Sequence, residues 1–240
     1  MKIPQTPGAS GAPSYPAQWA CSIPRFEVSS PLMIEFSCPL DQDEALMPEI
    51  TSLCVYCGSS KGNDPAYVEA ARELGYAAAA RGIRIVFGGG RVGLMGELAD
   101  AVLSAHGEVL GIIPRHLMEF EVGHNNLTDL RVVESMHERK FEMFRESDAF
   151  CILPGGFGTL DETFEMITWG QLGLHAKPVG LLNVNAFWAP LVRMLEHQAQ
   201  EGFIRQHDLK RCFVAETVED FFTQLETTPV IPENPKTKWS

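Results

Sequence analysis

Apolar and polar positions fall into a regular order only beyond residue 50. From there, short continuous apolar runs alternate with longer segments in which apolar residues recur every three or four positions. The first kind marks strands buried on both faces and the second marks amphipathic helices. TSLCVYC (51–57) predicts a strand, followed by the turn-rich GSSKGND. PAYVEAARELGYAAAARG (65–82) predicts a helix, with Pro65 in its first turn and Gly82 as its stop. IRIVF (83–87) is a second strand, running into GGGRVGLMG (88–96) and the helical ELADAVLSAHG. EVLGIIP (108–114) and, after an irregular stretch, LRVVES (130–135) are further strands. MHERKFEMFRESD (136–148) is helical, AFCILP (149–154) a strand, and GTLDETFEMITWGQLGLH (158–175) a helix. KPVGLLNV, a helix over 186–201, RCFVAE and the helical TVEDFFTQLE complete the series.

This alternation predicts an α/β fold: a Rossmann-like, doubly wound parallel sheet of about seven strands with helices on both faces. Ligands of such sheets bind beyond the carboxyl ends of the strands. Three predicted strand ends are rich in Gly and Ser: CGSS (57–60), GGGRVGLMG (88–96) and PGGFGT (154–159). Brought to one edge, they make a single site.

The first 48 residues lack the pattern and hold half of the sixteen prolines, so they are expected to be a disordered or loosely attached extension. They also lack the basic end and apolar core of a secretion signal. Translation from Met33 or Met47 is an alternative, since Met47 directly precedes the regular part. The Rossmann-like domain is expected over 49–228 and a tail over 229–240. The formal net charge of −12, with no basic block, argues against a nucleic-acid or anionic-membrane partner. No apolar run approaches the length of a membrane span. Of the six cysteines only Cys54 and Cys57 have ligand-like spacing, and no second pair matches them. Buried, reduced thiols in a cytoplasmic protein are expected. The seven histidines are scattered, so no metal is expected, and nothing calls for pyridoxal phosphate or another cofactor.

GGGRVG satisfies GxGxxG through Gly88, Gly90 and Gly93, but the acidic residue that should end the next strand is misplaced: Glu108 begins it. A dinucleotide-dependent oxidoreductase is thereby disfavoured. PGGFGT lacks the Lys-Ser/Thr ending of a P-loop. Both loops nevertheless suit an anion, because glycine lets backbone N–H groups approach closely and a helix N-terminus follows. Thr159 adds a hydroxyl donor. The bland alternative is that the glycines only permit tight turns. Asp161 and Glu162 are expected in the first turn of the helix, where acids commonly serve the dipole. Successive helical positions point about 100° apart, so the two cannot flank one bond. Leu160, Phe164 and Ile167 are expected to form the stripe facing the core. In MHERK, Arg139 and Lys140 read either as a solvated helix face or as a clamp for phosphate or a developing anion.

PGGFGTLDE fits PGGxGTxxE and MHERK fits MxxRK. With CGSS, GGGxxGLMG and ITWGQLGLHxKPVGLLN, residues from about 51 to 225 closely resemble the LONELY GUY (LOG) proteins. These are cytokinin riboside 5′-monophosphate phosphoribohydrolases, some of which carry an old lysine-decarboxylase label. Asp161 departs from the pattern, since many relatives carry Glu there. The resemblance implies hydrolysis of the N-glycosidic bond of a purine nucleoside 5′-monophosphate, by a homodimer with sites near the subunit interface. It makes Arg139 and Glu162 the catalytic candidates. Implied nucleotide contacts are Arg139, Lys140, Gly155, Gly156, Phe157, Gly158, Thr159, Leu160, Asp161 and Thr168, with Glu121 in no strong motif. Ser59, Gly90 and Met95 stand for the other two glycine-rich strand ends. A plain AMP nucleosidase and a non-catalytic nucleotide or cofactor carrier remain the alternatives. The Arg139–Glu162 pair separates hydrolase from carrier, because carriage does not need it.

Overall fold

The computed structural model describes residues 49–118, 123–124 and 126–227. The predicted extension, the tail and Glu121 lie outside the described residues. The elements, in chain order, are β1 (Ser52–Tyr56), α1 (Ala66–Ala80), β2 (Arg84–Phe87), α2 (Gly93–Ser104), β3 (Val109–Pro114) and α3 (Arg115–Met118). They continue with β4 (Asp129–Val133), α4 (Met136–Arg145), β5 (Ala149–Ile152), α5 (Phe157–Gln171), β6 (Val179–Leu182), α6 (Ala189–Gln200), β7 (Cys212–Ala215) and α7 (Val218–Thr227).

All seven strands are parallel, in the order β4-β3-β2-β1-β5-β6-β7. The order reverses between β1 and β5, which are hydrogen-bonded neighbours with Leu53 opposite Ala149 and Tyr56 opposite Ile152. Successive strand residues point to opposite faces, and the apolar runs fill both. Leu53, Val55, Ile85 and Phe87 pack with α1, α2 and α7. Cys54, Tyr56, Val86, Phe150 and Ile152 pack beneath α4, α5 and α6. Asp148 aligns β5 on β1: its Oδ2 accepts from the N–H and hydroxyl of Thr51 (3.0 and 2.9 Å) and of Ser52 (2.9 and 2.8 Å).

Helix ends differ from expectation for local reasons. α4 stops at Arg145, which leaves Asp148 to serve β1. α5 stops at Gln171, where Gly173 takes a positive φ and donates to Gly170. A 3-10 turn over Val184–Ala186 precedes α6, with Asn185 and Ala186 both at positive φ. The stretch after β3 contains the short α3, absent from the sequence-based prediction.

Candidate active site

The three glycine-rich strand ends meet. Gly58 N–H donates to the Pro154 carbonyl and Leu94 N–H to the Gly58 carbonyl, each at 3.0 Å. The β1, β5 and β2 loops are thus joined at the point where strand order reverses. Gly93, at φ +62°, allows α2 to start against the Ser59–Ser60 backbone, where a Cβ would collide.

α5 begins at Phe157, and no side chain caps it at Gly156. Its first N–H groups have no intrahelical acceptor, and Gly156 to Thr159 line a cleft, a setting that favours an anion. Asp161 and Glu162 therefore lie beyond the first turn, correcting the expected placement, and service to the helix dipole explains them poorly. The core stripe is also corrected. Thr163 and Met166 are fully buried, while Leu160 and Ile167 pack at the core edge. Phe164 instead lines a pocket between α5 and α6. Thr163 can be buried because its hydroxyl donates to the Thr159 carbonyl at 2.6 Å.

α4 delivers the two cations. Ser135 caps it by accepting from Glu138 N–H at 3.1 Å, and Glu138 accepts in return from Glu134 N–H at 2.9 Å. This fixes a helix whose buried face carries Arg139, Lys140 and Met143. Arg139 is 7 % exposed, and its guanidinium lies where a Gly88 side chain would stand. Gly88, read in the sequence as part of a phosphate-type motif, makes room for a cation. Arg139 Nη2 is 3.9 Å from Glu162 Oε1, an ion pair at longer range than a hydrogen bond. Nη1 points at Met136 Sδ (3.8 Å), and Nε is buried with no acceptor among the described residues. Unused donors on a buried guanidinium need a ligand or water.

Lys140 Nζ lies 3.2 Å from Asp161 Oδ2 and 3.1 Å from Glu165 Oε2. Burial works against its charge, but Glu165 and Asp161 outweigh this and hold its pKa above the usual lysine value. Asp161 thus shares the Lys140 cation with Glu165, which offsets part of its charge beside the glycine turn. Burial, reinforced by the Glu162 charge, pushes the Cys54 and Cys57 thiols far above the ordinary range, so both are neutral.

A cleft of about 260 Å³ contains Ser59, Met95, Arg139, Gly156, Phe157, Gly158, Thr159, Asp161 and Glu162 in its wall. Cys57, Leu117 and Met136 line it too. Of these three, Met136 opens the MHERK motif and Cys57 ends a strand, which were the available signals, whereas Leu117 had none. Gly155 borders an adjoining cleft, and its missing Cβ admits the Thr159 side chain. Lys140 and Leu160 are not in the cleft wall. Gly90 is buried in a bridge to Gly123, and Thr168 lies further along α5 in the α5–α6 pocket. Among the described residues no cluster of three or more metal-ligating side chains occurs, and no helix is long and apolar enough to cross a membrane.

The fold resembles the molybdenum cofactor carrier protein of Chlamydomonas reinhardtii (TM-score 0.58, 17 % identity, 75 % of this chain and 98 % of that one). A molybdenum cofactor binding protein from Rippkaea orientalis is similar (TM-score 0.56, 20 % identity, the same coverage). At these identities the likeness concerns the fold alone. Sequence relatives are nearer. The probable cytokinin riboside 5′-monophosphate phosphoribohydrolase LOGL1 of Oryza sativa subsp. japonica is 45 % identical over 189 residues, covering 78 % of this chain and 85 % of that protein. Cytokinin riboside 5′-monophosphate phosphoribohydrolase LOG from the same plant is 47 % identical, covering 72 % of each chain. LOG7 of Arabidopsis thaliana, which has the same enzyme name, is 45 % identical over 72 % of this chain and 80 % of its own. The family described as "Possible lysine decarboxylase" matches residues 95–225, more than half of the chain. By that match and these identities, this chain belongs to the LOG family, the group that shares the lysine-decarboxylase description.

Proposed function

We propose that the protein hydrolyses the N-glycosidic bond of N6-substituted adenosine 5′-monophosphates, giving the free base and ribose 5-phosphate. The observation that carries this reading is the Glu162 carboxylate facing Arg139 in a cleft rimmed by the uncapped start of α5. The names of the rice and Arabidopsis relatives support the cytokinin-type substrate.

In the proposed reaction the 5′-phosphate accepts from the N–H groups of Gly156 to Thr159, with Asp161 held in its ion pair with Lys140. The bond from C1′ to the base nitrogen breaks, its electron pair leaves with the base, and positive charge develops on the ribosyl ring. Glu162 stabilises that charge and takes the proton of the water that adds to C1′, and that proton then passes to the departed base nitrogen, which gives the neutral base and restores the carboxylate. Arg139 orients Glu162 and offers its unused donors to substrate. A carrier needs no such pair. The same proposal includes a cytoplasmic homodimer, supported by the apolar side chains of Leu174 and Phe203, 64 % and 86 % exposed. A monomer by light scattering at micromolar concentration would contradict it.

The test is release of base from AMP and from isopentenyladenosine 5′-monophosphate, with both nucleosides as controls. Base from the monophosphates only is expected, with the substituted nucleotide faster; equal rates would favour a plain AMP nucleosidase. Glu162→Gln is expected to lose about 10²–10⁴-fold in turnover with folding intact. Near-normal activity in that variant would remove Glu162 from the mechanism.

A further inference from the structure

A second cleft of about 250 Å³ shares the ridge made by Gly58, Ser59 and Gly156 with the first. It adjoins the nucleotide cleft through these three shared residues, and the proposed reaction does not use it. Its walls are mainly apolar: the rings of Tyr67 and Phe187, which meet edge-on with centroids 5.5 Å apart, together with Leu94 and Pro154. Its polar lining comes from Ser59, Ser60, Lys61, the phenol-bearing Tyr67 and the backbone of the glycine turns.

The two rings are held in place. Gly62, at φ +71°, lets the Tyr67 ring lie against the backbone. Phe187 follows Asn185 and Ala186, at φ +49° and +58°, a conformation unfavourable for a residue bearing a Cβ. Asn185 Nδ2 donates to Asp64 Oδ2 at 2.8 Å, and Asp64 Oδ1 accepts from Ala66 N–H at 2.9 Å, which ties the turn bearing Phe187 to the start of α1 and hence to Tyr67. Phe187 also packs edge-on against Trp188 at 4.7 Å.

The charge balance selects the ligand. The cleft has one ionic side chain, Lys61, and its ammonium is engaged by Glu97 at 2.6 Å. No uncommitted cationic side chain lines it. Aromatic walls, hydroxyl and peptide partners and no net charge fit a flat, neutral heteroaromatic ring. Such a molecule is released next door.

We propose that this second cleft binds the free N6-substituted adenine, at a site separate from the nucleotide cleft; the inference rests on the hydrolase reading above. Because the ridge is shared, a base bound there presses on the turn that holds the 5′-phosphate and slows turnover.

The test is calorimetric titration of N6-isopentenyladenine into Glu162→Gln protein saturated with AMP. One equivalent is expected to bind, and Phe187→Ala in that background should raise Kd about tenfold. Phe187→Leu, which keeps an apolar side chain, guards against a fold defect and should weaken binding in the same direction. Phe187→Ala in the otherwise unaltered enzyme should hydrolyse nucleotide at the normal rate without added base, and resist inhibition by base. Base that binds the empty protein but not the AMP-saturated protein would overturn the proposal, as would unchanged affinity in both Phe187 variants. Hydrolysis of the monophosphate by wild-type protein is followed in parallel. Hydrolysis without a second binding event removes this site alone, whereas base binding without hydrolysis supports the site and sinks the hydrolase reading.

Discussion

Gly88→Ala isolates the placement of Arg139 from the rest of the site. Gly88 does not have a positive φ, so alanine suits the backbone, and such replacements reduce unfolded-chain entropy by about 0.4–1 kcal/mol. The added Cβ, however, overlaps Arg139 Nη2 and lies 3.0 Å from its Cζ. The tip of a long side chain is the part that yields, and ordinary van der Waals separation needs a retreat of roughly 1 Å or more. Arg139 Nη2 is already 3.9 Å from Glu162, so a further shift breaks the pair electrostatically. Misplacement of this order can cost about 10²-fold in rate. The expected result is a protein melting within a few degrees of wild type whose kcat for base release falls about 10²-fold. Gly88→Ala with kcat within threefold of wild type would refute the reasoning, by showing that catalysis does not depend on where this guanidinium sits.

Two further outcomes follow from buried groups. Burial raises the Asp148 pKa, but its hydrogen bonds to Ser52 and Thr51 win and leave it below the ordinary aspartate value. Its contribution to stability is therefore complete above about pH 4 and lost as pH falls through the lowered value. Asp148→Asn should cost about 1–2 kcal/mol at pH 7, seen as a melting temperature lower by roughly 3–6 °C, with the difference shrinking in acid; an equal gap at pH 3 would be inconsistent. Burial lifts the thiols of Cys54, Cys57 and Cys151 far above the ordinary range and pushes Cys212 up to about 12. Peptide mapping after brief alkylation at pH 8 should find Cys54, Cys57 and Cys151, all buried, unmodified in the native protein and modified in denaturant, with the half-buried Cys212 the first to react; native labelling of Cys57 would show the cleft floor to be open.

Much of this molecule was legible in the chain. Apolar runs such as IRIVF and AFCILP have one stable environment, a sheet covered on both faces, so the parallel, doubly wound class followed from general packing rules, whereas the strand order came only from the structure. The joining of CGSS, GGGRVG and PGGFGT followed from the same rule, because parallel strands put their carboxyl ends on one edge. Side-chain direction was harder. Successive Arg139 and Lys140 read as equivalent, yet one reaches Glu162 and the other Asp161 and Glu165. That division depends on the crossing of α4 and α5, which no local pattern encodes. The phase of α5 was misjudged for a related reason. Thr163 is polar, and its bond to the Thr159 carbonyl satisfies the hydroxyl in the core. Gly88 was assigned to an anion because its partner, Arg139, is distant in sequence.

The adjacency of β1 and β5 also bears on how the site comes into being. The Asp148 carboxylate and Thr51 are 97 residues apart in the chain, and the turns at Gly58 and Pro154 are nearly as distant. Contacts of such separation impose a large loop-closure entropy before they return any stabilisation, which slows folding. On a ribosome the β1–β2–β3 half emerges first with the inner edge of β1 unpaired, and β5 must be released to cover it. Until then the exposed edge is open to pairing with another chain. The same strand junction that gathers the nucleotide cleft is thus the part of the nascent protein most in need of shielding.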